Sequence, residues 1–264
     1  MKNNSSDFPK MQKFYRPEID GLRAFAIIAV IINHFNKELL PTGYLGVDIF
    51  FVISGYVICS SISKRKNLNF RDFILSFFER RVRRLIPALI FFVIITSLLI
   101  SFFSPQPYGK LGTGFSSLFG ISNIALFWKS KDYFSEIITL NPFTHTWSLG
   151  VEEQFYFFLP FIAWTTGFAK GINSGEKRFL FFILFCSITS LIFFIKIYPY
   201  NQPAAYFLMP LRLWEIGSGC IVFILSNKYI NTFKKFEAIN SSLVLITILM
   251  LMKLNLSSVF STLI

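Results

Sequence analysis

Long apolar runs, each near the length of a membrane-crossing helix, alternate with short polar segments along this chain. A bilayer core about 30 Å thick takes about 20 helical residues to cross. Runs of that size cover residues 22–39, 45–62, 85–103, 146–164, 179–197, 206–225 and 239–264. An eighth apolar stretch, 111–128, is weaker, because it holds Gly112, Gly114, Gly120, three serines and Asn123. The pattern predicts an all-α, polytopic integral membrane helical bundle with about seven to eight membrane segments. Residues 1–18 form a polar tail, and no small-residue cleavage site follows the first apolar run, so the start does not read as a signal peptide.

Loop charges orient the bundle. Lys2, Lys10, Lys13 and Arg16 precede the first run, and Lys64, Arg65, Lys66, Arg71, Arg80, Arg81, Arg83 and Arg84 lie between the second and third. Between the first and second there is only Lys37. Basic loops stay inside, so the N-terminus is expected in the cytoplasm of a multi-pass protein of the cytoplasmic membrane. If 111–128 crossed, the basic loops 170–178 and 228–235 would fall outside; if it dips in and returns, both fall inside. Non-spanning backbone is tolerated where protein buries it, so 111–128 is predicted to turn back.

Composition narrows the function classes. Hydrophobic residues make up 53% and charged residues 15%, against about 25% charged in a soluble domain. That excludes a cytosolic enzyme. It also excludes a nucleic-acid binder despite the net charge of +12, because the basic residues cluster between apolar runs rather than on one soluble face. Cys59, Cys186 and Cys220 all fall in or beside apolar runs and read as buried thiols, not a disulfide framework.

Charges within a bilayer cost about 2.5 kcal/mol or more each on insertion scales, which makes them functional suspects. Arg23 and His34 share the first run, eleven positions or about 16 Å apart on a helix. Asp20 could pair Arg23, and His34 is expected beyond mid-membrane. Its plain structural reading is a helix-end histidine bonded to solvent or a carbonyl. Arg80, Arg81, Arg83 and Arg84 precede Pro87. Their planar forks suit phosphate oxygens, and a helix start near Pro87 would add oriented N–H groups. The alternative is a simple cytoplasmic anchor.

Glu152 and Glu153, with Gln154, enter an otherwise apolar run that begins after His145. Glu152 is expected at a depth comparable to His34, where a carboxylate could orient an imidazole base. Salt pairing of Glu152 to Arg212 is the structural alternative. Arg212 and Glu215 lie three apart and could neutralise each other, and Gly217 and Gly219 allow close helix approach. Asp48 sits near the outer end of the second run. No CxxC, HExxH, GxSxG or Walker pattern occurs, so metal and P-loop chemistry have no support.

These residues together resemble a known family. Arg23 and His34 match its Arg-x10-His feature, residues 43–56 look like its second-helix signature, and Arg80/Arg83 and Arg81/Arg84 each match its Arg-x-x-Arg. Residues 145–156 and 210–219 are similar to two later signatures, all in order from about 15 to 225. The family is acyltransferase 3, integral-membrane O-acyltransferases typified by bacterial enzymes that acetylate lipopolysaccharide O-antigen and other surface glycans. The resemblance implies an acyltransferase 3 transmembrane domain over 19–264, lacking the family's last helices and the periplasmic SGNH-type domain of its fused members.

It implies an acyltransferase that transfers groups other than aminoacyl groups, in the bacterial inner membrane, with no permanently bound cofactor. Acetyl-CoA or another acyl-CoA would be the donor substrate, and the partners would be a glycan or lipid-linked glycan acceptor and the lipid bilayer. The catalytic residues implied are His34, as base or acyl acceptor, with Glu152 and Glu153 as orienters. Arg23, Arg80, Arg81, Arg83, Arg84, Arg212 and Glu215 would bind donor or acceptor. Two other readings stay open: a transporter or flippase for a lipid-linked glycan that uses His34, Glu152 and Arg212 as its pathway, or an inactive fragment.

Overall fold

A computed structural model describes residues 17–64, 69–104, 107–130, 140–172, 174–229 and 241–253. Most of the 1–18 tail and of the basic 228–235 segment, all of 254–264, and Lys131 in the loop after 111–128 lie outside the described residues. The described chain is helical: α1 (Pro17–Phe35), a 3₁₀ turn (Gly43–Leu45), α2 (Gly46–Ser63), α3 (Phe70–Phe103), α4 (Tyr108–Leu118), α5 (Ser122–Lys129), α6 (Thr146–Thr165), α7 (Gly175–Ile197), α8 (Gln202–Phe207), α9 (Met209–Lys228) and α10 (Ser241–Lys253). Four helical stretches are long and apolar enough to cross a membrane: Gly43–Ser63, Phe70–Phe103, Gly175–Ile197 and Gln202–Lys228. α1 and α6 have 19 and 20 residues, but Glu18, Asp20 and Arg23 in one, and Glu152, Glu153 and Gln154 in the other, make them more polar.

Two boundaries differ from the sequence expectation. Helix α3 begins at Phe70, not near Pro87, and runs 34 residues straight through that proline. The cause is an apolar face that starts early: Phe73 and Phe77, one turn apart, are buried, and Phe73 stacks on Trp164 of α6. The arginine run therefore lies within a helix, and the free N–H groups expected at Pro87 do not arise. The second difference is the break between α8 and α9. Leu208 is extended there (φ −87°, ψ 124°), and Pro203 and Pro210 open the two helices.

The weak stretch 111–128 does not cross. It folds as two short helices of 11 and 8 residues joined at Gly120, whose φ of +67° is open to glycine at little cost. Lys129, at the end of α5, donates to the carbonyl of Gly109 at 2.7 Å, so the hairpin returns to the end it left. The remaining loops agree. Ser63, Gly171, Glu176 and Asn227 line one cavity of about 380 Å³, which puts the end of α2, the α6–α7 loop and the end of α9 together. With Lys64, Lys170, Arg178 and Lys228 in those segments, this is the basic end of the bundle.

The bundle is centred on α9, 56% of whose apolar window is buried, against 17% for α3. A Cβ on Gly55 of α2 would meet the backbone of Ile216, and one on Gly219 of α9 would meet the backbone of Val52. The two helices thus touch backbone to backbone, as small residues permit. Cys220 adds a weak thiol hydrogen bond to the Gly55 carbonyl at 3.3 Å.

Candidate active site

At the basic end, α1, α2, α3 and α6 enclose a cavity of about 430 Å³, within the range of small-molecule sites. Three arginines of the run, Arg80, Arg81 and Arg84, line it together with Arg23. The fourth, Arg83, points away and pairs with Glu79 at 2.7 Å on the exposed face. Helical geometry explains the split: positions 80, 81 and 84 share one face, and 83 turns from it.

The cavity wall on α6 is polar. Glu152 accepts a hydrogen bond from Ser54 of α2 at 2.8 Å, with Tyr156 OH at 3.5 Å from its other oxygen. Arg81 donates to Glu153 at 2.7 Å and lies over the Tyr156 ring, 3.5 Å from its centroid. Arg84 makes no ion pair among the described residues, so its fork faces the cavity without a carboxylate. Ser54 and Tyr156 were not singled out from sequence; a lone serine in an apolar run carries no signal until the fold sets a carboxylate against it.

A second polar layer fixes α6. Gln154 donates to the Gly120 carbonyl at 3.0 Å and to Asn123 Oδ1 at 2.8 Å, while Asn123 donates to the Phe207 carbonyl at 2.9 Å. These bonds satisfy the backbone exposed where the α4–α5 hairpin turns, as a non-spanning segment requires.

Arg212 lies elsewhere. It is 1% exposed and pairs with Asp48 of α2 and with Glu215 of α9, the latter at 2.7 Å. The rings of Phe51, Trp147, Phe194 and Tyr206 stand 5.5–5.9 Å from its guanidinium carbon. Arg212 and Glu215 therefore sit in a closed ion triad and not in the cavity, and the pairing of Glu152 with Arg212 is not made. The transporter pathway expected through His34, Glu152 and Arg212 is likewise divided among three separate places.

His34 sits in the last turn of α1, exposed at the end opposite the arginines. Its Nδ1 is 2.9 Å from the Val30 carbonyl. A carbonyl only accepts, so Nδ1 carries the hydrogen and Nε2 keeps a lone pair in the neutral ring. The orienting partner is thus a backbone carbonyl, and neither Glu152 nor Glu153 contacts His34. The helix register explains this. His145 precedes α6 and lies close enough to His34 for their charges to interact, and Glu152 lies seven residues or about 10 Å further along α6. His145 is exposed at this end of the bundle, yet partial desolvation of its charged form pushes its pKa down. The nearby charge of His34 acts the same way, and a hydrogen bond to the Pro142 carbonyl offsets part of the shift.

Among the described residues, no group of three or more His, Cys, Asp and Glu side chains is arranged to hold a metal ion. What the site offers is a cavity lined by four arginines at one end and the exposed His34 at the other. An acyltransferase domain model matches residues 16–260. The chain belongs to the acyltransferase 3 family. It is 33% identical over 225 residues to the O-acetyltransferase OatA of Staphylococcus aureus (strain NCTC 8325 / PS 47), covering 83% of this chain and 37% of that protein. It is 34% identical over 209 residues to the peptidoglycan O-acetyltransferase OatA of Listeria monocytogenes, covering 78% and 33%. A putative O-acetyltransferase of Staphylococcus aureus (strain MSSA476) is 34% identical over 226 residues, covering 83% and 36%. The chain thus spans about a third of the length of these relatives. No solved structure matches it.

Proposed function

We propose that this acyltransferase 3 domain moves an acetyl group from acyl-CoA to a hydroxyl of a cell-surface glycan, peptidoglycan or lipopolysaccharide included. The observation that carries the reading is the cavity lined by Arg23, Arg80, Arg81 and Arg84, a concentration of planar forks suited to the phosphates of a CoA thioester. The basic end faces the cytoplasm of a bacterial inner membrane on the positive-inside rule, so the cavity opens where acyl-CoA is made. From Arg23 the first helix rises about 16 Å to His34. An extended pantetheine arm is comparable, about 14 Å if its chain is counted as four residues of backbone. The thioester then reaches the imidazole end, where His34 Nε2 takes the proton of the acceptor hydroxyl as it attacks the acyl carbon. Glu152, with Ser54 and Tyr156, shapes the cavity wall, and Glu153 holds Arg81 in position. Any appended SGNH-type domain would act as the partner on the outer face.

Turnover of labelled acetyl-CoA into glycan by membranes holding the protein tests the reading. His34→Ala and His34→Gln should insert normally and abolish transfer, because neither side chain can take a proton at neutral pH. Normal acetylation by either variant would refute the assignment.

A further inference from the structure

Two helix faces run side by side from the arginine cavity toward the opposite end of the bundle. On α3, Arg81, Leu85 and Phe92 share one face, since the eleven positions from 81 to 92 make close to three full turns. On α6 and the residue before it, Tyr156, Glu152, Leu149 and His145 share a face over the same eleven positions. The two faces touch at both ends. At the basic end the Arg81 guanidinium lies 3.5 Å from the centre of the Tyr156 ring. At the other end the Phe92 and His145 rings meet edge to face, with centroids 5.1 Å apart. Between these contacts each helix rises about 16 Å. Leu85, Leu149 and Glu152 lie within that interval and line the arginine cavity. Phe92 is itself braced, because its ring packs edge to face on the buried Phe143 at a centroid distance of 5.7 Å. Leu149 packs on the same apolar cluster, so it and Phe92 close the space above the cavity together.

We propose that Phe92 and Leu149 set the acyl-chain specificity of the transfer, admitting an acetyl group and stopping longer acyl chains. The proposal rests on the acyl-CoA reading above and adds what decides the size of the transferred group. A pantetheine arm of about 14 Å, anchored by its phosphates at the arginines, ends just short of the contact between Phe92 and His145. The methyl of an acetyl group then meets Leu149 and Phe92. Every further methylene has to displace a ring already held by Phe143 and His145, and overfilling a packed apolar wall is costly. The gap does not widen easily by a swing of α3, which is tied to α6 below the wall. Arg81 pairs with Glu153 at 2.7 Å, and Phe73 stacks on Trp164. An apolar pocket of this kind discriminates about 10- to 200-fold for one methylene, enough to separate acetyl from butyryl donors.

The test compares acetyl-CoA with butyryl-CoA as donors in membranes holding the protein, with the acylated glycan identified by mass. The wild-type protein should favour acetyl over butyryl about 100-fold or more in kcat/KM. Phe92→Ala and Leu149→Ala should each raise the butyryl-to-acetyl ratio about tenfold or more, because the group that stopped the chain is gone. Both donors are measured on one preparation, so a smaller amount of folded protein does not imitate a change in the ratio. Phe92→Leu keeps an apolar contact for Phe143 and should give a smaller rise in the same direction. Phe91→Ala, at a neighbouring position that is 69% exposed on the outside of α3, should leave the ratio unchanged. An unchanged ratio in the Phe92 and Leu149 variants, an equal rise in Phe91→Ala, or a wild-type protein that transfers butyryl as fast as acetyl would each overturn the proposal and leave the acyl-CoA reading intact. A wild-type protein that turns over neither donor would overturn that reading itself.

Discussion

Replacing Arg212 probes the most enclosed charge in the bundle. Its guanidinium serves Asp48 and Glu215, which are 14% and 1% exposed. Arg212→Met keeps much of the apolar volume but leaves two carboxylates facing each other without a cation. Removing one partner of a buried pair costs about 3–5 kcal/mol, and protonation of the stranded carboxylates limits the loss to that range. Domains of 150–250 residues lose about 2–4 °C of Tm per kcal/mol, so the expected fall is about 6–20 °C. Intrinsic-fluorescence melting of the purified protein in one detergent would measure it. Restoring neutrality in the triple variant Asp48→Asn, Arg212→Met, Glu215→Gln should recover at least half of the loss, since apolar or neutral replacement of a whole buried ion group is often tolerated. If Arg212→Met melts within about 2 °C of the native protein, the triad is not holding α2 to α9, and Arg212 returns as a candidate for substrate contact.

Two further outcomes follow from the same geometry. Arg84→Lys should raise the apparent KM for acyl-CoA about tenfold, a loss of about 1.4 kcal/mol, with expression unchanged. Arg83→Lys, on the face paired with Glu79, should leave KM alone; equal KM values for both variants would mean that the run is only a topological anchor. Gly55→Ala or Gly219→Ala should each cost about 1–3 kcal/mol or more, because the new methyl meets backbone atoms that cannot rotate away. A melting temperature unchanged in both would show that α2 and α9 separate without penalty.

The helical bundle could be read from apolar run lengths alone, because the bilayer imposes a length that few other constraints imitate. The turn-back of 111–128 could be read as well, from Gly120 and from the charges of loops far along the chain. What stayed hidden in the sequence is lateral. Run length says where a helix crosses but not which neighbour each face meets, and hydrophobicity is nearly uniform around a lipid-exposed helix. Arg80, Arg81 and Arg84 could be flagged as a cluster, yet a loop ending at Pro87 and a helix passing through it predict different phosphate sites. Only Phe73 and Phe77, buried against α6 and the neighbouring core, decide for the helix. Asp48, Arg212 and Glu215 were each visible as charges in apolar runs, but Asp48 and Arg212 are 164 positions apart, and only Gly55 and Gly219 bring their helices close enough to close the triad.

The same reasoning reassigns the carboxylates. Sequence placed Glu152 beside His34 by counting residues inward from an assumed membrane surface. The helix register changes the result: Glu152 lies two turns, about 10 Å, along α6 from His145 and faces Ser54 and the arginines. Glu152 faces the cavity instead, where Arg81 pairs with Glu153, Arg23 pairs with Asp20, and Arg80 and Arg84 line the same space. An anion entering this space meets more guanidinium than carboxylate, and that excess supports the proposal of a phosphate-binding cavity.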